Sequence, residues 1–184
     1  MDFLKLDQTR KWNEDVVSEE MHIHLPFTTM DPQPNAETRI VVNDLGLVSK
    51  PFASKLLVAG SLRKAAAGGG ALAVTNPVFN FVMFLFSEIS YLLNGVLVER
   101  IPNPGLISTV KHYLCRSPSE DNFTSSCGFT DSAKDKFIYN ETTGEFEVFI
   151  SLKYIFGYFE DYQKVMTNVK QELPPVLPPP PPSP

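Results

Sequence analysis

Four places in the sequence carry residue types that could do chemistry. His22 and His24 alternate with apolar residues in "MHIHLPF", so both imidazoles project from one face of an extended strand and could chelate a metal. Without a third ligand nearby, they read as two polar side chains on a strand's outer face. His112 stands three residues before Cys115, on neighbouring faces of a helix, as a thiol–imidazole pair would. Nothing recognisable follows to orient the imidazole, so packing accounts for both residues. Glu160 and Asp161 are adjacent on a helical stretch, and their carboxylates point in different directions, as on a solvated surface. Gly68, Gly69 and Gly70 could line a phosphate loop, yet neither Gly-Lys-Ser/Thr nor GxGxxG accompanies them. They read as a connector between strands. With no GxSxG, HExxH, CxxC or Walker pattern, the chain is expected to be no enzyme and to need no cofactor or metal.

The totals point the same way. The 184 residues suit one domain with a tail, and 43% hydrophobic content suffices for a core. A net charge of −5 argues against phosphate-backbone binding, so nucleic acid is not an expected partner. The most apolar stretch, Val78 to Val98, is interrupted by Asn80, Ser87, Glu88, Ser90 and Asn94, so no membrane span is expected. "MDFLKLDQTRKW" lacks the apolar run of a secretory signal, which predicts a cytoplasmic or virion-like protein that is not secreted. Cys115 and Cys127 are then expected to be free thiols, and the sequons at Asn122 and Asn140 to carry no sugar.

The elements that must position these residues are mostly strands. Residues 1–18 read as an arm, and "MHIHLPF" as a half-buried strand. "TRIVVND" and "KLLVAGSLRK" read as further strands. "NPVFNFVMFLFSEI" predicts a helical turn running into a central strand. "EISYLLNGVLVER" is a hairpin on a two-residue Asn94-Gly95 turn, which pairs Leu93 with Val96, Leu92 with Leu97, Tyr91 with Val98 and Ser90 with Glu99. Ile89, Tyr91, Leu93, Val96 and Val98 then share the apolar face. Leu92 and Leu97 form an apolar pair on the other, mostly polar face, where a neighbour could sit.

Leu106, Val110, Tyr113 and Leu114 recur at helical spacing after Pro104-Gly105, and the helix should stop near Ser117-Pro118. Ser117 to Glu120 could begin a capped turn. A second hairpin uses a five-residue loop, Asn140 to Gly144, with Phe146, Val148, Ile150 and Leu152 on one face. Helical spacing returns through Ile155, Phe156, Phe159 and Tyr162. The chain ends in a proline-rich tail, residues 174–184, expected to be disordered. Its run Leu177, Pro178, Pro179, Pro180, Pro181 and Pro182 should populate a polyproline II helix, the ligand of profilin-like polyproline-reading domains.

The order of segments resembles a known pattern. Asn94-Gly95, then Glu99-Arg100, then Gly-x-x-Ser-Thr-x-Lys at Gly105–Lys111 form one motif, and Leu-x-x-x-Phe-Gly-x-x-Glu-Asp-Tyr at Leu152–Tyr162 forms the second. Over about Met21 to Leu173 the chain is similar to the double jelly-roll-like domain family, related to the major capsid proteins of Polinton (Maverick) elements. The resemblance implies an all-β fold, an eight-stranded antiparallel jelly-roll β-sandwich with short interrupting helices, spanning residues 19–173 and corresponding to the first of two rolls. In the capsid relatives two rolls stand side by side and three chains form a pseudo-hexagonal capsomer. The chain departs from the family at Pro174-Pro175, where apolar and basic residues would continue the strand. Because proline lacks an N–H, that strand is expected to be short or confined to an edge.

The expected function is therefore a structural protein, resembling the first jelly roll of a Polinton-type major capsid protein and associating with itself or a related capsid-like chain, as trimers in the family pattern. Two alternatives stay open: a host-adopted interaction protein whose polyproline tail is the ligand, and a degenerate fragment without function.

Overall fold

The computed structural model describes residues 18–27, 37–43, 46–64, 73–74, 80–115, 140 and 142–178. In chain order its strands are β1 (Ile40–Val42), β2 (Val48–Ser49), β3 (Lys55–Ser61), β4 (Arg63–Lys64), β5 (Ala73–Val74), β6 (Glu88–Leu93) and β7 (Val96–Pro102), followed by β8 (Glu145–Ser151), β9 (Met166–Thr167), β10 (Gln171–Leu173) and β11 (Pro175–Val176). Helix α1 covers Pro104–Cys115, and a one-turn helix, α2, covers Tyr158–Asp161. Short 3-10 turns lie at Pro51–Ala53, Met83–Leu85 and Leu152–Tyr154. Every strand pairing is antiparallel.

The hairpin β6–β7 follows from its turn. Asn94 and Gly95 both adopt positive φ, 49° and 79°, as a type I′ turn requires. Leu93 pairs with Val96 and Leu92 with Leu97, as the sequence predicts. Beyond them the register shifts at a β-bulge, so Tyr91 faces Glu99 and Ser90 faces Arg100. The bulge takes up Val98, which is exposed, and turns Glu99 and Ile101 to the side of Ile89 and Tyr91. The apolar face is thus Ile89, Tyr91 and Ile101, with Leu93 packed against their cluster; Val96 and Val98 do not join it.

β10 and β11 flank β6 on its other side, with β1 outermost. Glu172 pairs with Leu92 and Pro175 with Ile89, so one register runs through both short strands. The sheet thus continues past Leu173, and the prolines sit inside it rather than at an edge. Proline lacks only the donor; its carbonyl remains available. Pro175 O accepts the Thr38 N–H at 3.1 Å on one side, and Val176 O accepts the Ser87 N–H at 2.9 Å on the other.

β3 and β8 pair over seven residues, Lys55↔Ser151 to Ser61↔Glu145, and form the opposite wall. Leu56 and Val58 from β3 meet Phe146, Val148 and Ile150 from β8, all buried, in one cluster with Ile89, Tyr91, Ile101 and Leu173 of the larger sheet. Two antiparallel sheets closing on one core make a jelly-roll β-sandwich. The loop before β8 closes as its spacing implies: the Asn140 N–H donates to Glu145 O at 2.8 Å, and Asn140 Oδ1 accepts the Thr142 N–H at 2.9 Å.

"MHIHLPF" departs from expectation. Among the described residues it pairs with no strand, and its apolar side chains face solvent. The expected capped turn at Ser117–Glu120, the glycine connector, Cys127 and prolines 179–182 lie outside the described residues.

Candidate functional site

The residues of both motifs meet behind α1. Glu99, turned inward by the bulge, accepts the Gly157 N–H on Oε1 at 3.1 Å and the Tyr158 N–H on Oε2 at 2.9 Å. One carboxylate therefore holds the start of α2. Lys111 Nζ donates to Lys153 O at 2.6 Å and pairs with Glu160 Oε2 at 2.7 Å, tying α1 to the same segment. Arg100 meets Glu88 with both Nε and a terminal nitrogen, at 2.7 and 2.6 Å, a two-pronged fork across the hairpin. That guanidinium holds the Glu88 carboxyl below its ordinary value.

The start of α1 is fixed from below by Asn80, whose positive φ of 55° turns its amide into the structure. Nδ2 donates to Gly105 O at 3.1 Å and to the Ser108 and Thr109 hydroxyls, each at 2.8 Å. Those hydroxyls donate in turn to Pro104 O at 2.6 Å and Gly105 O at 2.7 Å. Asn80 Oδ1 is buried with no donor against it among the described residues. Gly105 permits the close approach, since a Cβ there would stand 2.6 Å from the Phe84 ring.

The consequence for α1 is a reversed amphipathicity. Ser108 and His112 are buried and Thr109 and Lys111 half-buried, while Leu106, Ile107, Val110, Tyr113 and Leu114 are exposed. Leu114 is 79% exposed and Tyr113 64%. The apolar stripe at 106, 110, 113 and 114, at the spacing that normally marks a core face, points to water. At its N-terminal end the stripe borders a cavity of about 460 Å³ lined by Phe84, Phe86, Ser87, Asn103, Gly105, Leu106 and Pro178. The Ser87 hydroxyl, 3.2 Å from both Val176 O and Leu177 O, brings the outgoing chain to this cavity.

A family model for the double jelly roll-like domain matches residues 75–177, more than half of the chain. The chain belongs to the double jelly roll-like domain family. Comparison with curated proteins and with solved structures returned no match.

In this double jelly roll-like chain the residues of the first motif hold the local structure. Asn94-Gly95 makes the turn, Glu99 caps α2, Arg100 braces Glu88, and Gly105, Ser108, Thr109 and Lys111 seat α1. The candidate chemistry residues are dispersed. The His22 and His24 rings stack with centroids 6.5 Å apart, and Glu20 lies 3.9 Å from His22. No group of three His, Cys, Asp or Glu that could hold a metal occurs among the described residues. His112 is buried beneath α1, edge-on to Tyr113. Glu160 and Asp161 are exposed, with Glu160 engaged by Lys111. Burial raises the Tyr91 hydroxyl above its ordinary value, and it donates to Gln171 Oε1 at 2.9 Å. Of the expected polyproline ligand, Leu177 is half-buried against the core and Pro178 lines the cavity. No described helix is long and apolar enough to cross a membrane.

The direction of the exposed α1 face is a feature that the spacing of Leu106, Val110, Tyr113 and Leu114 left open. Helical spacing locates a stripe but not the direction it faces. The available signal was Gly105, Ser108 and Thr109, small residues at i, i+3 and i+4, which mark the face that approaches another backbone closely.

Proposed function

We propose that this protein is a non-enzymatic structural unit of capsid-like type, resembling the first jelly roll of a Polinton-type major capsid protein, that works by associating with copies of itself or a related chain. The observation that carries this reading is α1. A helix whose polar side is buried and whose five large apolar side chains face water is built to be covered. Its buried side is fully engaged by Asn80, Lys153 and Glu160, so the helix cannot roll over to hide the stripe without breaking those contacts. The family membership supports a structural role, and the motif residues are spent on holding shape.

Light scattering on the Val110→Lys/Leu114→Lys variant tests this. Both positions are exposed, so the fold and its thermal midpoint should persist while self-association weakens by about tenfold or more. Association at wild-type strength in the folded variant would remove α1 from the interface.

A further inference from the structure

A second unpartnered apolar surface lies in residues 18–27. The His22 and His24 rings stack 6.5 Å apart, the advance of two residues in an extended chain, about 6.6 Å. Alternation then turns Met21, Ile23, Leu25 and Phe27 to the opposite side, where they are 84%, 81%, 78% and 79% exposed. Ser18 to Pro26 form no strand pairing among the described residues. The stretch has the side-chain pattern of a strand without a sheet.

The stretch is held near both ends. Glu19 Oε2 pairs with Lys50 Nζ at 2.7 Å, and the Phe27 N–H donates to Arg39 O at 3.2 Å, just before β1. Among the described residues β1 is one edge of the large sheet, and β7, which pairs with β6, is the other. Three strand spacings of about 4.8 Å, roughly 14 Å in all, separate the two edges. The arm, held at Lys50 and at Arg39 beside β1, is not seated on the β7 of its own chain. β7 offers a matching surface: a row of backbone groups with no strand partner among the described residues, and Val96 68% and Leu97 53% exposed at its start. An open edge with apolar side chains is a template for another chain's strand.

We infer that the Met21–Phe27 arm of one copy adds as a strand to the open β7 edge of a second copy. The inference rests on the self-association reading and adds a second contact to the α1 stripe. Because donor and acceptor occupy different edges, the contact is head-to-tail. Each copy gives an arm and receives one, so the assembly closes as a ring or extends as a filament.

Two full-length variants test the contact, Ile23→Lys/Leu25→Lys in the arm and Leu97→Lys/Val98→Lys at the edge. All four positions are exposed, and thermal unfolding checks that each variant folds. Each alone should lose about tenfold or more in association strength relative to wild type. Mixed, they should associate more strongly than either variant does alone, because one good arm then meets one good edge. Hydrogen exchange gives a readout independent of the substitutions: amides of Met21–Phe27 and of Val96–Glu99 should gain protection together as the wild-type protein is concentrated. If both folded variants assemble like wild type, or protection appears at neither segment, the arm contact is overturned while self-association stands. A wild-type chain that stays single at every concentration overturns both.

Discussion

Glu99 Oε2 receives the Tyr158 N–H at 2.9 Å, joining the hairpin of one motif to the helix start of the other. The β-bulge makes this contact: in an unbroken register Glu99 would face away from the core. The Glu99→Leu variant leaves two amides without acceptors and should lose about 2–3 kcal/mol, whereas Glu99→Gln, which keeps one acceptor, should lose about 1 kcal/mol. Urea unfolding distinguishes them; equal losses would mean that packing and not capping governs the site.

At the hairpin tip, Gly95 adopts a φ of +79° with no heavy atom within 4 Å of a built Cβ. Space is therefore available and only backbone conformation resists. Gly95→Val should cost about 1 kcal/mol or more. A change within measurement error would contradict the type I′ turn.

Gly105 resists substitution for the opposite reason. A Cβ would meet the Phe84 ring at 2.6 Å, so Gly105→Ala should destabilise by about 1–3 kcal/mol despite alanine's better helix propensity. A more stable variant would show that α1 does not sit this close to Phe84.

Arg100 depresses the Glu88 carboxyl below its ordinary value of 4.5. The pair's contribution to stability is therefore complete above pH 4.5 and is lost as pH falls through the lowered value. The stability difference between wild type and Glu88→Gln should be constant near neutrality and shrink below pH 4.5. Chemical unfolding at several pH values measures it, and a difference unchanged down to pH 3 would contradict the ion pair.

Much of the fold was legible because strand periodicity reports burial directly. Phe146, Val148, Ile150 and Leu152 alternate and are all buried. Asn94-Gly95 and Asn140–Gly144 marked both turns through the backbone angles they permit. Three features were not legible. The bulge at Val98 depends on Glu99 reaching Gly157, a contact 58 residues away in sequence. The strand at Pro174-Pro175 was expected to be short or confined to an edge; β11 is short, yet it lies inside the sheet, with Pro175 O bonded to Thr38 on one side and Val176 O to Ser87 on the other. The direction of α1 is set by Asn80 and Phe84, on a neighbouring turn, and not by the helix's own pattern.

The central claim is that the exposed α1 stripe, with the arm and β7 edge, exists to be covered by other copies. Sedimentation equilibrium of the full-length chain over a wide concentration range tests it most directly. The account predicts a weight-average mass that rises with concentration to a multiple of 20.6 kDa. A mass fixed at that of one chain across the range would contradict it.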